Sequence, residues 1–288
     1  MHEIVHMVIH TVEHCAKLLP FLFLTYLLME YMEHKTATKV QGVIKKGGRL
    51  GPLFGGLLGA VPQCGFSAAA SNLYAGRIIT LGTLIAIYLS TSDEMLPILL
   101  AEVKTIGATP ILKILAVKVV IGMVAGFLID CFIRPKKDEH DHIHEMCEHE
   151  HCHCGESKSI WKSALVHTAK IALFIFIITF AVELALHFLG EDILKDLILN
   201  KPVIGQFLAG LVGLIPNCAS SIVLTQLYLE GAMSFGACMS GLLVGSGIGL
   251  LVLFRVNRDK KENIKIVLLL YVIGVVAGIL MELLGFTV

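Results

Sequence analysis

Val61-Pro62-Gln63-Cys64-Gly65 and Ile215-Pro216-Asn217-Cys218-Ala219 are the two stretches on which the reading of this chain turns. Each interrupts an apolar run, leaving arms at 50–61 and 65–76 in one place and at 203–215 and 219–230 in the other. Spanning a bilayer takes about 20 apolar residues, so no single arm is long enough to cross. Proline removes a backbone donor and disfavours helix in the residue before it, which explains the break. Two short helices around such a break predict a re-entrant hairpin, and here the hairpin is written twice.

The rest of the chain repeats with it. A shift of 153 carries His14, Lys17, Phe21, Phe23, Glu30 and His34 onto His167, Lys170, Phe174, Phe176, Glu183 and His187. A shift of 154 carries Gly56, Gly59, Pro62, Cys64, Ser67, Tyr74, Gly82 and Ser92 onto Gly210, Gly213, Pro216, Cys218, Ser221, Tyr228, Gly236 and Ser246. A shift of 152 carries Lys113, Gly122, Ala125 and Gly126 onto Lys265, Gly274, Ala277 and Gly278. The remaining apolar runs, 12–33, 78–100 and 111–133 in one half and 163–189, 232–254 and 265–287 in the other, are each long enough to span.

Of the 288 residues, 56% are hydrophobic and 16% charged, against about 25% charged in a soluble domain. Mean hydropathy is +0.79. So much apolar surface needs lipid around it, and the long unbroken runs exclude a transmembrane β-barrel. Lys+Arg and Asp+Glu balance at 23 each, which leaves no basic field for nucleic acid. Three of the eight cysteines crowd one polar loop and the others stand singly, so they do not form a disulfide framework. Met1-His2-Glu3 lacks the basic start of a signal peptide, and the first apolar run is expected to stay in the mature protein.

Basic residues orient the map. Lys35, Lys39, Lys45, Lys46 and Arg49 follow the first run, Arg134, Lys136, Lys137, Lys158 and Lys162 flank the middle loop, and Arg255, Arg258, Lys260, Lys261 and Lys265 mark the last. With these loops in the cytoplasm, both termini lie outside. Each half then has three crossings plus a hairpin, ten segments in all, and an odd number of crossings makes the halves face opposite ways. The expected fold is an all-α polytopic membrane protein built as an inverted-topology repeat. Residues 1–134 form the first membrane repeat, 135–159 a cytoplasmic loop and 160–288 the second repeat. Secondary transporters of this design bind substrate near the midplane, where broken helices meet.

Candidate ligands follow from that expectation. At the hairpin tips Gln63 and Asn217 offer amides, Cys64 and Cys218 sulfur, and Ser67 and Ser221 hydroxyls. The plainer alternative is that Cys and Ser are small residues that let helices pack. Ser92-Asp93-Glu94 falls inside the third run, where an ionised Asp costs roughly 2.5–3.5 kcal/mol on the mildest scale. Its counterpart, Gly245-Ser246-Gly247, has no charge, so the acids break the symmetry as a single cation site would. Alternatively the run ends at Ser92 and Asp93 caps the next segment. Asn72 and Gln226 are secondary candidates, and Glu30 and Glu183 are read as interfacial acids or proton relays. Lys118, inside the fourth run, either pairs with an acid or snorkels.

The loop from Glu139 to Cys154 carries His140, His142, His144, Cys147, His149, His151, Cys152, His153 and Cys154. Imidazole and thiolate suit borderline and soft metals, and the irregular spacing predicts a metal-collecting loop, not a folded zinc module. The metalloprotease spacing fails, because the next histidine after His144-Glu145 is His149. A solvated linker is the alternative. His2, His6, His10 and His14 line one helix face near the start, as a metal-receiving stripe or an interfacial helix.

The glycine-rich approaches to Pro62-Gln63-Cys64-Gly65 and Pro216-Asn217-Cys218, the duplicated ten-segment layout and the His-rich central loop resemble the ten-transmembrane heavy-metal exporter family. That family is grouped by name with arsenic permeases, and some members are labelled manganese transporters. The resemblance covers nearly the whole chain and implies export of a metal or metalloid. Manganese prefers oxygen ligands, which Asp93, Glu94, Gln63 and Asn217 supply, whereas Cys and His favour softer metals or trivalent arsenic.

The expected function is therefore a secondary exporter of a divalent heavy-metal ion such as manganese or zinc, in the inner membrane. Asp93, Glu94, Cys64 and Cys218 would be its metal ligands. No Walker A motif is present for ATP drive, and neither enzymatic chemistry nor a resident cofactor is expected beyond the transported ion. Expected partners are the lipid bilayer, the ion and, as an open alternative to a monomer, a second copy forming a homodimer. Nucleic acid is not expected. The rival substrate is an arsenic species or another small oxyanion. A membrane metal sensor or metalloenzyme built on the His/Cys loop ranks below both.

Overall fold

A computed structural model describes residues 50–61, 64–92, 95–101, 107–133, 160–189, 204–216, 218–229 and 231–286. Within the first expected span it also describes Val12, Ala16, Leu19, Pro20, Phe23, Leu24, Tyr26 and Leu27, all helical. Among the described residues all regular secondary structure is helical, with no strand.

In the first half, α1 (Gly51–Gly59) and α2 (Cys64–Ala75) flank the first proline break, followed by α3 (Leu81–Ser90), α4 (Met95–Ala101) and α5 (Ala108–Phe132). After α6 (Ile160–Leu189), the second half repeats the set as α7 (Ile204–Gly213), α8 (Cys218–Leu229), α9 (Phe235–Val244), α10 (Gly249–Val256) and α11 (Lys260–Leu283). The third runs, expected to be continuous, are each two helices, α3 with α4 and α9 with α10. Hydroxyls account for the first interruption: Ser90 Oγ donates to Ala86 O at 2.7 Å and Thr91 Oγ1 to Ile87 O at 2.8 Å. Such back-bonding bends helices. Glycine accounts for the second, since Gly247 takes φ 55°, a left-handed conformation that side chains disfavour.

Lipid explains which faces are covered. Helix α5 exposes Leu112, Val120, Val124, Leu128 and Phe132, and α11 exposes Ile264, Leu268, Val272, Val276, Leu280 and Leu283. Both are long and apolar enough to cross a membrane, and faces this apolar are stable only in hydrocarbon. Their opposite stripes are buried at spacings of three and four: Ile111, Ile114, Lys118, Gly122, Gly126 and Ile129 on α5, and Asn263, Ile266, Leu270, Gly274, Gly278 and Met281 on α11. The stripes correspond position by position under the shift of 152, with Lys118 at the place of Leu270.

The duplication extends to individual contacts. Thr80 caps α3 by accepting from Thr83 N, and Ser234 caps α9 by accepting from Ala237 N. Gly82 N donates to Asp130 Oδ1 at 2.8 Å, and Gly236 N donates to Glu282 Oε2 at 3.0 Å. A Cβ on Gly126 would stand 2.5 Å from Gly82 O, and one on Gly278 would stand 2.5 Å from Gly236 O. Only glycine permits that approach, the small-residue packing usual between membrane helices. Within each half the first helix of the broken pair packs on the third and fifth helices, α1 on α3 and α5, α7 on α9 and α11. Between halves the partners are exchanged: α2 packs on α10, and α8 on α4.

Candidate functional site

The interruptions of the third runs and the first turn of α8 meet at one small cavity. Thr91, Ser92 and Met95 supply one wall, Ser220 and Ser221 another, Leu242, Gly245 and Gly247 a third, and Lys118 projects from α5. There is room for about one water molecule, less than a hydrated ion needs.

Lys118 is 1% exposed. At least about 15 Å of helix separates it from either end of α5, so the snorkelling reading is set aside. Its Nζ donates to the carbonyl of Leu242, which lies in the last turn of α9. Where a helix stops, its final carbonyls have no partner within the helix and carry partial negative charge. The break after Val244 thus creates the acceptor that a buried ammonium needs. The site is asymmetric, because the corresponding position in the other half is the fully buried Leu270.

Ser92 Oγ donates to Ala60 O at 2.7 Å, joining the break after α3 to the tip region after α1. Ser246, between two cavity-lining glycines, is buried, and its hydroxyl has no hydrogen-bond partner among the described residues. Buried hydroxyls are normally satisfied, which makes this one, next to the cavity in sequence, an exception.

Two of the expected binding residues, Ser92 and Ser221, line the cavity. Ser67 does not: it is buried on α2 against Gly249, where Ser71 Oγ donates to Gly249 O at 2.7 Å and bonds the Tyr88 hydroxyl at 2.7 Å. Gln63, Asp93, Glu94 and Asn217 lie outside the described residues, as do the side chains of Cys64 and Cys218. So does the entire His/Cys loop, with His140, His142, His144, Cys147, His149, His151, Cys152, His153 and Cys154. Among the described residues no three His, Cys, Asp or Glu side chains come together as a metal site. Thr91 and Ser220 are additions that the sequence reading missed. Lys118 carried a usable signal, a charge near the middle of an apolar run, but not its position in the cavity.

A family model described as "Putative, 10TM heavy-metal exporter" matches residues 6–193 and 139–254. The chain belongs to this family. Membership makes it a multi-pass membrane protein of a heavy-metal exporter family, consistent with the lipid-facing stripes of α5 and α11. No curated protein and no solved structure matches the chain. The cavity at Lys118 is the candidate functional site of this family member.

Proposed function

We propose that the chain is a secondary transporter that exports a divalent heavy-metal ion by alternating access, with the cavity between its halves as the occluded site. The observation that carries the reading is this small cavity, walled by the breaks of both halves and lined in part by an ammonium and hydroxyls. Asp93 and Glu94 join Ser92 to Met95, which both line it, and in our reading they supply the anionic ligands. Gln63, Cys64, Asn217 and Cys218 complete the site from the tips. The His/Cys loop collects metal at the cytoplasmic face. No enzymatic step or resident cofactor enters this mechanism.

The inverted repeat is part of the proposal, and two contacts support it. Built Cβ atoms on Gly51 and Gly59 would meet Thr83 and Ser90 respectively, so α1 runs beside α3 in the same direction and α2 must retrace the path between them. Second, Arg77 and Glu262 bond at 2.9 Å. Between them lie the α3–α4 run, α5, α6, α7–α8 and the α9–α10 run. If all five crossed, the two residues would be on opposite faces; a re-entrant α7–α8 leaves four crossings and one common face. That face holds Arg258, Lys260 and Lys261, which the positive-inside rule assigns to the cytoplasm. Both termini are then outside.

A second reading has its own support. The polar groups among the described cavity residues are an ammonium, hydroxyls and the first turn of α8, whose free N–H groups favour anions. This suits an arsenic species or another small oxyanion. Cellular content across a panel of metals and metalloids, with and without expression, tests both. A cation carrier should lower one divalent metal, and Asp93→Asn and Cys64→Ser should abolish the effect. An oxyanion carrier should lower arsenic, survive Asp93→Asn and fail with Lys118→Met. Unchanged content of every species would overturn the transporter assignment.

A further inference from the structure

We infer that Arg77 and Glu262 form a latch that closes the carrier on its basic face; the inference rests on the alternating-access reading above. The two Glu262 oxygens receive Arg77 Nη1 and Nη2 at 2.9 Å each. Tyr74 Oη donates to the same carboxylate at 2.8 Å and Asn257 Nδ2 at 3.2 Å. The guanidinium also lies over the Tyr74 ring, 5.3 Å from its centre. Bidentate charge-assisted pairs of this kind are among the strong hydrogen bonds.

The latch sits where relative motion of the halves would be felt. Tyr74 and Arg77 belong to the end of α2 in the first half, while Asn257 and Glu262 belong to the α10–α11 junction in the second. Helix α2 packs on α10, so a path opening between them toward this face must part the carboxylate from the guanidinium. Both charged side chains keep some exposure, 23% and 18%, so water can replace the lost partners as the pair separates.

Comparison of the halves shows that the pair is specific to this face. Arg77 adopts φ 56°, where a side chain strains the backbone. The equivalent residue of the second half is Gly231, which takes φ 71°. The fold therefore needs a left-handed residue here; glycine meets that need in one half, and arginine in the other at a cost that its pairing with Glu262 explains. The position equivalent to Glu262 is Pro110, so the exchanged interface of α8 and α4 has no ion pair at these positions. At these positions only the basic face carries an ion pair, and it biases the empty carrier toward closure there.

Accessibility of the cavity from each side of the membrane tests the latch. The full chain carrying Ser221→Cys is placed in sealed vesicles and labelled from either face with a membrane-impermeant maleimide; the chain without the reporter gives the background from native cysteines. Arg77→Gln and Glu262→Gln should each raise labelling from the basic face by about fivefold or more, without raising it from the other. The exchange Arg77→Glu with Glu262→Arg should restore slow labelling. Tyr74→Phe, a milder change suited to the case in which the charge variants fail to fold, should raise labelling about twofold. Unchanged labelling in the folded variants, or an equal rise from both faces, would overturn the latch. Labelling is read without substrate, and flux is read in vesicles of the chain without the reporter: a working latch with no metal or metalloid flux there would remove the transporter reading alone, and flux with unaltered labelling would remove the latch alone.

Discussion

The ammonium of Lys118 donates to the carbonyl of Leu242, joining a lipid-facing helix of the first half to the end of a broken helix in the second. Removing one partner of a buried hydrogen bond leaves the other unsatisfied, at a cost of about 1–3 kcal/mol. Lys118→Met should therefore lower the melting temperature while transport falls by about tenfold or more, as a 1.4 kcal/mol or larger loss would give. Transport at the parent rate in a folded variant would remove Lys118 from the site.

The paired glycines make a structural prediction. Gly126→Ala and Gly278→Ala each push a methyl against a backbone carbonyl that cannot move aside. Each should cost about 1–3 kcal/mol, the usual range for overpacking, and the two losses should be alike. Thermal melts of detergent-purified protein would show it, and an unshifted melt for either variant would contradict the close approach.

Asp130 accepts from Gly82 N and, at 2.6 Å, from Thr80 Oγ1 at the start of α3; Glu282 accepts from Gly236 N at the start of α9. Alanine at either site leaves a helix N-terminus without its anion. The expected loss is about 1–2 kcal/mol, larger at Asp130 because two donors lose their acceptor. Chemical or thermal denaturation of the two variants would rank them.

Two buried serines on neighbouring turns should behave oppositely. Ser240 Oγ donates to Gln206 O at 2.7 Å, so Ser240→Ala should cost about 1 kcal/mol of stability. Ser246 Oγ has no partner among the described residues. Ser246→Ala should shift stability by less than about 0.5 kcal/mol yet weaken substrate binding, read as a raised half-saturating concentration in flux assays.

Deleting residues 138–156 removes the His/Cys loop. Flux should persist, with its onset moved to higher metal concentration. Complete loss of function would instead favour a sensor or metalloenzyme built on that loop.

Much of the architecture could be read from residue types alone. Pro62 and Pro216 mark the breaks that α1–α2 and α7–α8 flank, and the 152-residue shift aligns the buried stripes of α5 and α11. Those features rest on backbone chemistry and helical spacing, which are local. The unwinding at Thr91 was harder to see, because back-bonding hydroxyls are also common in continuous membrane helices. Lys118 was visible as an anomaly, but its acceptor is the end of a helix 124 residues away. The bond between Arg77 and Glu262 spans 185 residues, and no periodicity links them. Of the expected ligands Ser92 and Ser221 meet, whereas Ser67 lies at the equivalent place in the opposite arrangement, since α2 and α8 exchange partners.

Tyr88 gives the asymmetry a numerical meaning. It occupies the position equivalent to Leu242, is fully buried, and ties its hydroxyl to Ser71. A phenol ring thus stands where the other half has the leucine whose carbonyl holds Lys118. On the transporter reading this leaves one such berth among the described residues, and titration of the loop-deleted protein should saturate at one equivalent per chain.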